Sequence, residues 1–215
     1  MSDSVLSFLL GLIQGLTEFL PISSSAHLLL PSLLFGLNDL GLSFDIAVHA
    51  GTLIAVMYYF RGEILLMSKS FFKNDEYLLI HRNLAFSLII ATIPVVFAGL
   101  FLKDIIEQRI FSIEHIAIAN IIFAGILLFA YLNKKNKKNL YSITLYSALF
   151  IGIFQSLALF PGASRSGTAI TAALLIGINL KDASKFSFML GIPTIFGALI
   201  LLIFEMQLTS ESFNY

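Results

Sequence analysis

The chain is predicted to be an all-α integral membrane protein, a polytopic helical bundle built from an inverted repeat with two re-entrant hairpins. Three observations carry this expectation. Apolar residues make up 58% of the 215 positions and charged residues 12%, against roughly 45–50% and about 25% in soluble domains. Several apolar runs approach the roughly 20 residues that a spanning helix needs. Two polar stretches of similar layout, 14–27 and 155–168, interrupt the apolar sequence. Each runs from a glutamine through a proline to a knot of hydroxyls.

The elements follow in chain order. Segment 5–20 has Asp3 ahead of it, no basic leader and no small-residue cleavage site after it, so it is expected to stay in the mature protein. It and segment 24–34 are too short or too broken to cross comfortably. They read as one hairpin, which is tolerated at membrane depth only where protein or a water-filled cavity satisfies its backbone. Runs 44–60, 83–102 and 113–132 are spans. Run 140–160 is a fifth candidate span that carries Gln155 and breaks at Pro161. Segment 168–178 is again short, and 186–204 is a span.

Basic residues orient the spans. Loop 61–82 holds Arg61, Lys69, Lys73 and Arg82, and loop 133–139 holds four lysines, whereas turn 103–112 mixes Lys103 and Arg109 with Asp104 and Glu107. The first two belong in the cytoplasm. Run 44–60 then enters it and run 186–204 leaves it, so the two are antiparallel. Setting Pro21 against Pro161 places Ser24 opposite Ser164. The expected organisation is a single transmembrane domain, 1–215, with repeats of about 1–102 and 113–215. Inverted repeats bring their broken elements together near the midplane, which would bring the two hydroxyl-rich loops into one pocket.

That pocket suits a phosphate. Arg165 offers a planar fork of donors for phosphate oxygens, among Ser164, Ser166 and Thr168, with Gly162 and Gly167 letting the backbone approach. Ser24 and His27 are three apart and share a helix face, so the imidazole is placed to take the hydroxyl proton. Glu18 lies just before Pro21, where it can hold a divalent metal or orient the histidine. A lipid tail can stay in the bilayer while its headgroup enters, so the chemistry points to a lipid phosphate.

At these residues the chain resembles the undecaprenyl-diphosphate phosphatases of the bacitracin-resistance type. The first motif of that family, Glu/Gln-x-x-x-Glu followed by Phe-Leu-Pro-x-Ser-Ser-x-x-His, matches Gln14, Glu18 and Phe19 to His27. The second, Pro-Gly-x-Ser-Arg-Ser-Gly, matches Pro161 to Gly167. The resemblance implies removal of one phosphate from undecaprenyl diphosphate, which returns the carrier lipid to peptidoglycan synthesis and confers bacitracin resistance. It implies a multi-pass protein of the bacterial inner membrane with its pocket toward the periplasm, and a divalent cation, Mg²⁺ or Ca²⁺. Ser24 would be the nucleophile, His27 the base, Glu18 the metal ligand or acid/base partner, and Arg165 the phosphate clamp. Gln14 would join Ser164, Ser166, Gly162 and Thr168 on the substrate. Three departures stand out: Gln14 fills the first acidic position, Ala169 stands where a threonine is often found, and after the polar stretch 205–214 the further apolar segments usual in the family are not in this sequence, which is either a short form or one lacking the C-terminal helices.

Competing readings set the limits. Ser23 and Ser25 are packing devices at a helix contact, Asp45 and His49 form a structural acid–imidazole pair, and Lys134–Lys138 mark topology. Zero net charge gives no field for nucleic acid, and the lack of cysteine excludes thiolate chemistry. The expected partners are the polyprenyl diphosphate and membrane lipids, with a homodimer left open. The rival function is a transporter or flippase for a polyprenyl phosphate, which needs the arginine but no nucleophile.

Overall fold

The computed structural model describes residues 2–73, 75–108 and 112–212; Arg109 and the end of the tail, 213–215, lie outside the described residues. Ten α-helices follow one another: α1 Asp3–Thr17, α2 Ser24–Phe35, α3 Gly41–Tyr59, α4 Arg61–Ser70, α5 Glu76–Phe101, α6 Lys103–Glu107, α7 Ile113–Leu132, α8 Leu145–Ser156, α9 Arg165–Leu175 and α10 Leu180–Ser212. Three segments, Glu76–Phe101, Ile113–Leu132 and Leu180–Phe204, are long and apolar enough to cross a membrane. Helix α3 joins α4 at a 73° bend. The protein is therefore a polytopic helical membrane protein, and faces such as Ile118, Ile121, Ile122 and Phe129 of α7 stay exposed on it as lipid contacts.

Candidate span 140–160 is shorter than expected. It forms a 3₁₀ turn at Leu140–Ser142, α8, and a second 3₁₀ turn at Leu157–Leu159, and at 1.5 Å per residue α8 is about 18 Å long. The chain then turns through Gly162 at φ 101° into α9. Both ends of this α8–α9 pair lie at the same face, since the amides of Lys137 and Lys138 donate to the Gly177 carbonyl beyond α9. Helices α1 and α2 behave alike: Asn38, after α2, donates to Asp3 at the start of α1 at 3.2 Å. Helix α3 starts at that end and finishes beside the beginning of α10, so the bases of the two helix pairs lie at opposite ends of α3.

The core is built around α9. Its Ala169, Ala172 and Ala173 are fully buried, and such small side chains let α7, α8 and α10 close on it. Helices α5 and α8 come closer still: a Cβ on Gly152 would lie 2.9 Å from the Ala91 backbone, so only glycine fits there.

Candidate active site

Serine caps aim the two half-helices. Ser23 accepts from the Ala26 amide at the start of α2, and Ser164 accepts from the Gly167 amide at the start of α9. An N-cap satisfies amides that otherwise have no partner, so each cap fixes where its helix begins. The caps also offer an alignment of the two polar stretches. Matching Ser23 to Ser164 gives an offset of 141 that also pairs Gly11 with Gly152, Gln14 with Gln155 and Phe19 with Phe160. Ser24 and Arg165 are thus equivalent first residues of their helices, and both helix N-termini, with their partial positive charge, face the same point.

That point is Glu18, whose side chain is 2% exposed. Arg165 Nη2 donates to Oε1 at 2.6 Å across 147 residues of sequence. Oε2 accepts from Gln14 Nε2 at 2.7 Å, from the Ser24 hydroxyl at 2.8 Å and from His49 Nε2 at 3.2 Å. A charge at bilayer depth costs on the order of 2.5–3.5 kcal/mol by insertion scales, and this ring of donors offsets it. Of the four buried side-chain polar atoms without a hydrogen-bond partner among the described residues, two belong to this cluster: Arg165 Nη1 and Gln14 Oε1. The carboxylate draws the Gln14 amide nitrogen toward itself, which turns the carbonyl oxygen away.

The two tips are also stitched together by main chain. Ser166 Oγ donates to the Leu20 carbonyl at 2.7 Å, and the Gly162 amide donates to Ser23 Oγ at 3.2 Å. Gly191 of α10 lies against the guanidinium, so a Cβ there would come within 2.8 Å of Arg165 Nη2.

The structure brings together Glu18, Ser24, Arg165 and Gln14 and revises the rest of the expected set. Ser24 donates to Glu18, while His27 Nδ1 donates to the Ser23 carbonyl at 2.6 Å; sharing a helix face did not make a Ser24–His27 pair, because each side chain has a stronger local acceptor. The expected cradle separates in the same way. Ser164 and Ser166 contact each other and reach the Leu20 carbonyl, and Thr168 donates to the carbonyl of Arg165. Gly162, Ser164 and Thr168 line a cavity of about 280 Å³ against α7, away from the guanidinium. Ser23 holds a cap and a tip contact, beyond simple packing.

His49 is the residue that sequence reasoning missed. Its Nδ1 donates to the Asp45 main-chain carbonyl while Nε2 reaches Glu18. Both ring nitrogens face oxygen atoms. Its only cue in the sequence is an imidazole within an apolar helix.

The arrangement can seat an anion beside a hydroxyl that already points at a carboxylate. For a metal, the described residues contain no group of three His, Cys, Asp or Glu side chains, and Glu18 already accepts four hydrogen bonds. The remaining protein oxygen is Gln14 Oε1, a hard donor of the type that Mg²⁺ and Ca²⁺ prefer. The set fits a cation shared with phosphate oxygens, not a cage made by protein alone.

Known proteins have similar sequences. The profile described as bacitracin resistance protein BacA matches residues 7–214. An undecaprenyl-diphosphatase of Saccharophagus degradans is 48% identical over 198 residues, covering 90% of this chain and 73% of the relative. Undecaprenyl-diphosphatase 1 of Pseudoalteromonas translucida is 47% identical over 193 residues, covering 86% and 71%. With nearly its whole length matched and both polar stretches inside the match, the chain belongs to the BacA bacitracin resistance family.

Proposed function

We propose that this protein hydrolyses undecaprenyl diphosphate to undecaprenyl phosphate and inorganic phosphate, recycling the lipid carrier for peptidoglycan synthesis. The observation that carries this reading is the unpartnered, buried Nη1 of Arg165 one side chain away from the Ser24 hydroxyl, with Glu18 joining them. A buried donor without an acceptor is costly, and a phosphate oxygen is the acceptor a guanidinium fork best fits.

Arg165 Nη1 takes an oxygen of the terminal phosphate, and the N-termini of α2 and α9 add to the field. Ser24 Oγ attacks that phosphorus; its proton passes to Glu18 Oε2, to which it is already bonded. The bridging P–O bond breaks and its electron pair leaves on the lipid phosphate. Water then attacks the phosphoserine, Glu18 returns the proton to Ser24 Oγ, and inorganic phosphate departs. Phosphoryl transfer through a loose transition state relies chiefly on positioning and charge, so the serine proton leaves late and a weakly basic carboxylate is asked only to receive it. His27, anchored through Nδ1, keeps Nε2 for the attacking water. Gln14, through its unpartnered Oε1, is the residue that would hold a divalent cation together with the diphosphate, where it would neutralise developing charge.

The reading includes the architecture: two inverted, re-entrant halves in a single domain of the inner membrane, with the site toward the periplasm because the basic loops lie at the opposite face. Ser24→Ala is the decisive variant. Purified protein given farnesyl diphosphate should release phosphate and form an acid-stable phosphoserine at position 24, and Ser24→Ala should do neither. Turnover without a trapped phosphoserine favours direct attack by water. Wild-type protein that moves lipid phosphate between leaflets without releasing phosphate favours the transporter.

A further inference from the structure

A cavity of about 700 Å³ lies at the basic face, between the end of α3 and the start of α10, and the reaction at Glu18 does not use it. On α10 it is lined by Lys181, Ser184, Lys185 and Phe188, one helical stripe that grades from charged at the face to aromatic inside. On the opposite wall Ala55 and Tyr59 lead out to Glu63 of α4. Lys185 Nζ is paired with Glu63 Oε1 at 2.6 Å, so two lysines against one carboxylate leave the mouth with one excess positive charge. Its inner end closes on Phe19, which meets Phe188 edge-on with ring centroids 5.5 Å apart. Phe19 is the chain neighbour of Glu18.

From this geometry we infer that the cavity is a second binding site for a lipid phosphate monoester, with the phosphate at Lys181 and Lys185 and the chain along the apolar wall. The size lies within the range of small-molecule pockets. A cationic rim over an apolar, aromatic interior selects an amphiphile over a free anion, because only an amphiphile uses both parts. Ser184 adds a hydroxyl donor between the lysines. The site stands on the cavity alone and does not depend on the reaction assigned to Ser24.

The test uses the full chain in detergent micelles, with farnesyl monophosphate as the probe and native mass spectrometry as the readout. Wild-type protein should bind two molecules. Arg165→Gln should bind one and K181Q/K185Q should bind one. Lys181→Gln alone, which keeps the Glu63–Lys185 pair, should weaken the second site about fivefold. Ala55→Phe fills the cavity without changing charge and should also leave one molecule bound. Both cavity variants should still release phosphate from farnesyl diphosphate if the active site works as proposed, a separate readout from binding. Binding to wild type that neither K181Q/K185Q nor Ala55→Phe reduces, equal binding of farnesol, or displacement by inorganic phosphate alone would each overturn the inference, and a single molecule on wild type that both cavity variants lose would still support it.

Discussion

Gly191→Ala tests whether the placement of one guanidinium governs this site. The added Cβ would stand 2.8 Å from Arg165 Nη2 and 2.9 Å from Cζ, and nearer still to Nη1. Ordinary contact begins near 3.4 Å, so Nη2 must retreat by about 0.6 Å and Nη1 by more. Helix α10 cannot give way instead: Met189 and Leu190 are fully buried beside the position, and Ser187 Oγ donates to the Ser166 carbonyl at 3.2 Å. The Arg165–Glu18 bond, 2.6 Å long, is then stretched toward the roughly 3.2 Å limit of a good N–H···O contact. A displacement approaching 1 Å at a catalytic group costs on the order of 10²-fold, about 2.7 kcal/mol. The assay is kcat/KM for phosphate release from farnesyl diphosphate by purified protein. Gly197→Ala on the same helix is the control, because its Cβ meets only Val96 Cγ2 at 3.9 Å. It should be silent. A Gly191→Ala enzyme within threefold of wild type, folded and monodisperse, would refute the claim that Arg165 works from the position described.

Further outcomes follow from the same contacts. Glu18→Gln leaves the Arg165 charge buried without its partner and should lower the stability of the detergent-solubilised protein by about 3–5 kcal/mol; adding Arg165→Met should recover much of that by thermal unfolding while leaving activity absent. His49→Leu removes a charge-assisted hydrogen bond to Glu18 and should cut kcat/KM by about 10- to 100-fold, whereas His49→Gln, which keeps a donor in reach, should restore most of it. Partial burial raises the affinity of the Glu63 carboxyl for its proton, but the hydrogen bond from Lys185 outweighs this and holds its pKa below the ordinary value. Its stabilising effect is therefore present above the ordinary glutamate range and fades as pH falls through the lowered value. Being part-exposed, the pair should contribute at most about 1 kcal/mol, read as the difference between wild type and Lys185→Ala melting curves at neutral and acidic pH.

The long spans were legible because length and hydrophobicity alone select them; 113–132 coincides with α7. The convergence of Glu18 and Arg165 was legible because two unrelated charges in lipid demand a common reason. Finer features were not. Helical spacing says that Ser24 and His27 share a face, but not that a carboxylate six residues before the serine outcompetes the imidazole. Hydroxyls near Arg165 looked like phosphate ligands, yet a serine at a helix start has amides and carbonyls of its own to serve. His49 comes from a helix whose approach to Glu18 is decided by tertiary packing. Gly191 carries no signal until Arg165 is seen lying across it.

The bonds that hold Glu18 reach 147 residues forward in the chain, which has a consequence for biogenesis. At roughly 5–20 residues per second of synthesis, the first helix pair waits on the order of 7–30 s before its arginine exists. During that interval Oε1 of the carboxylate and the open Leu20 carbonyl lack the partners that the second half supplies. The nascent amino-terminal half must linger near water, or in the care of insertion machinery, until α9 emerges from the ribosome to lock it in place.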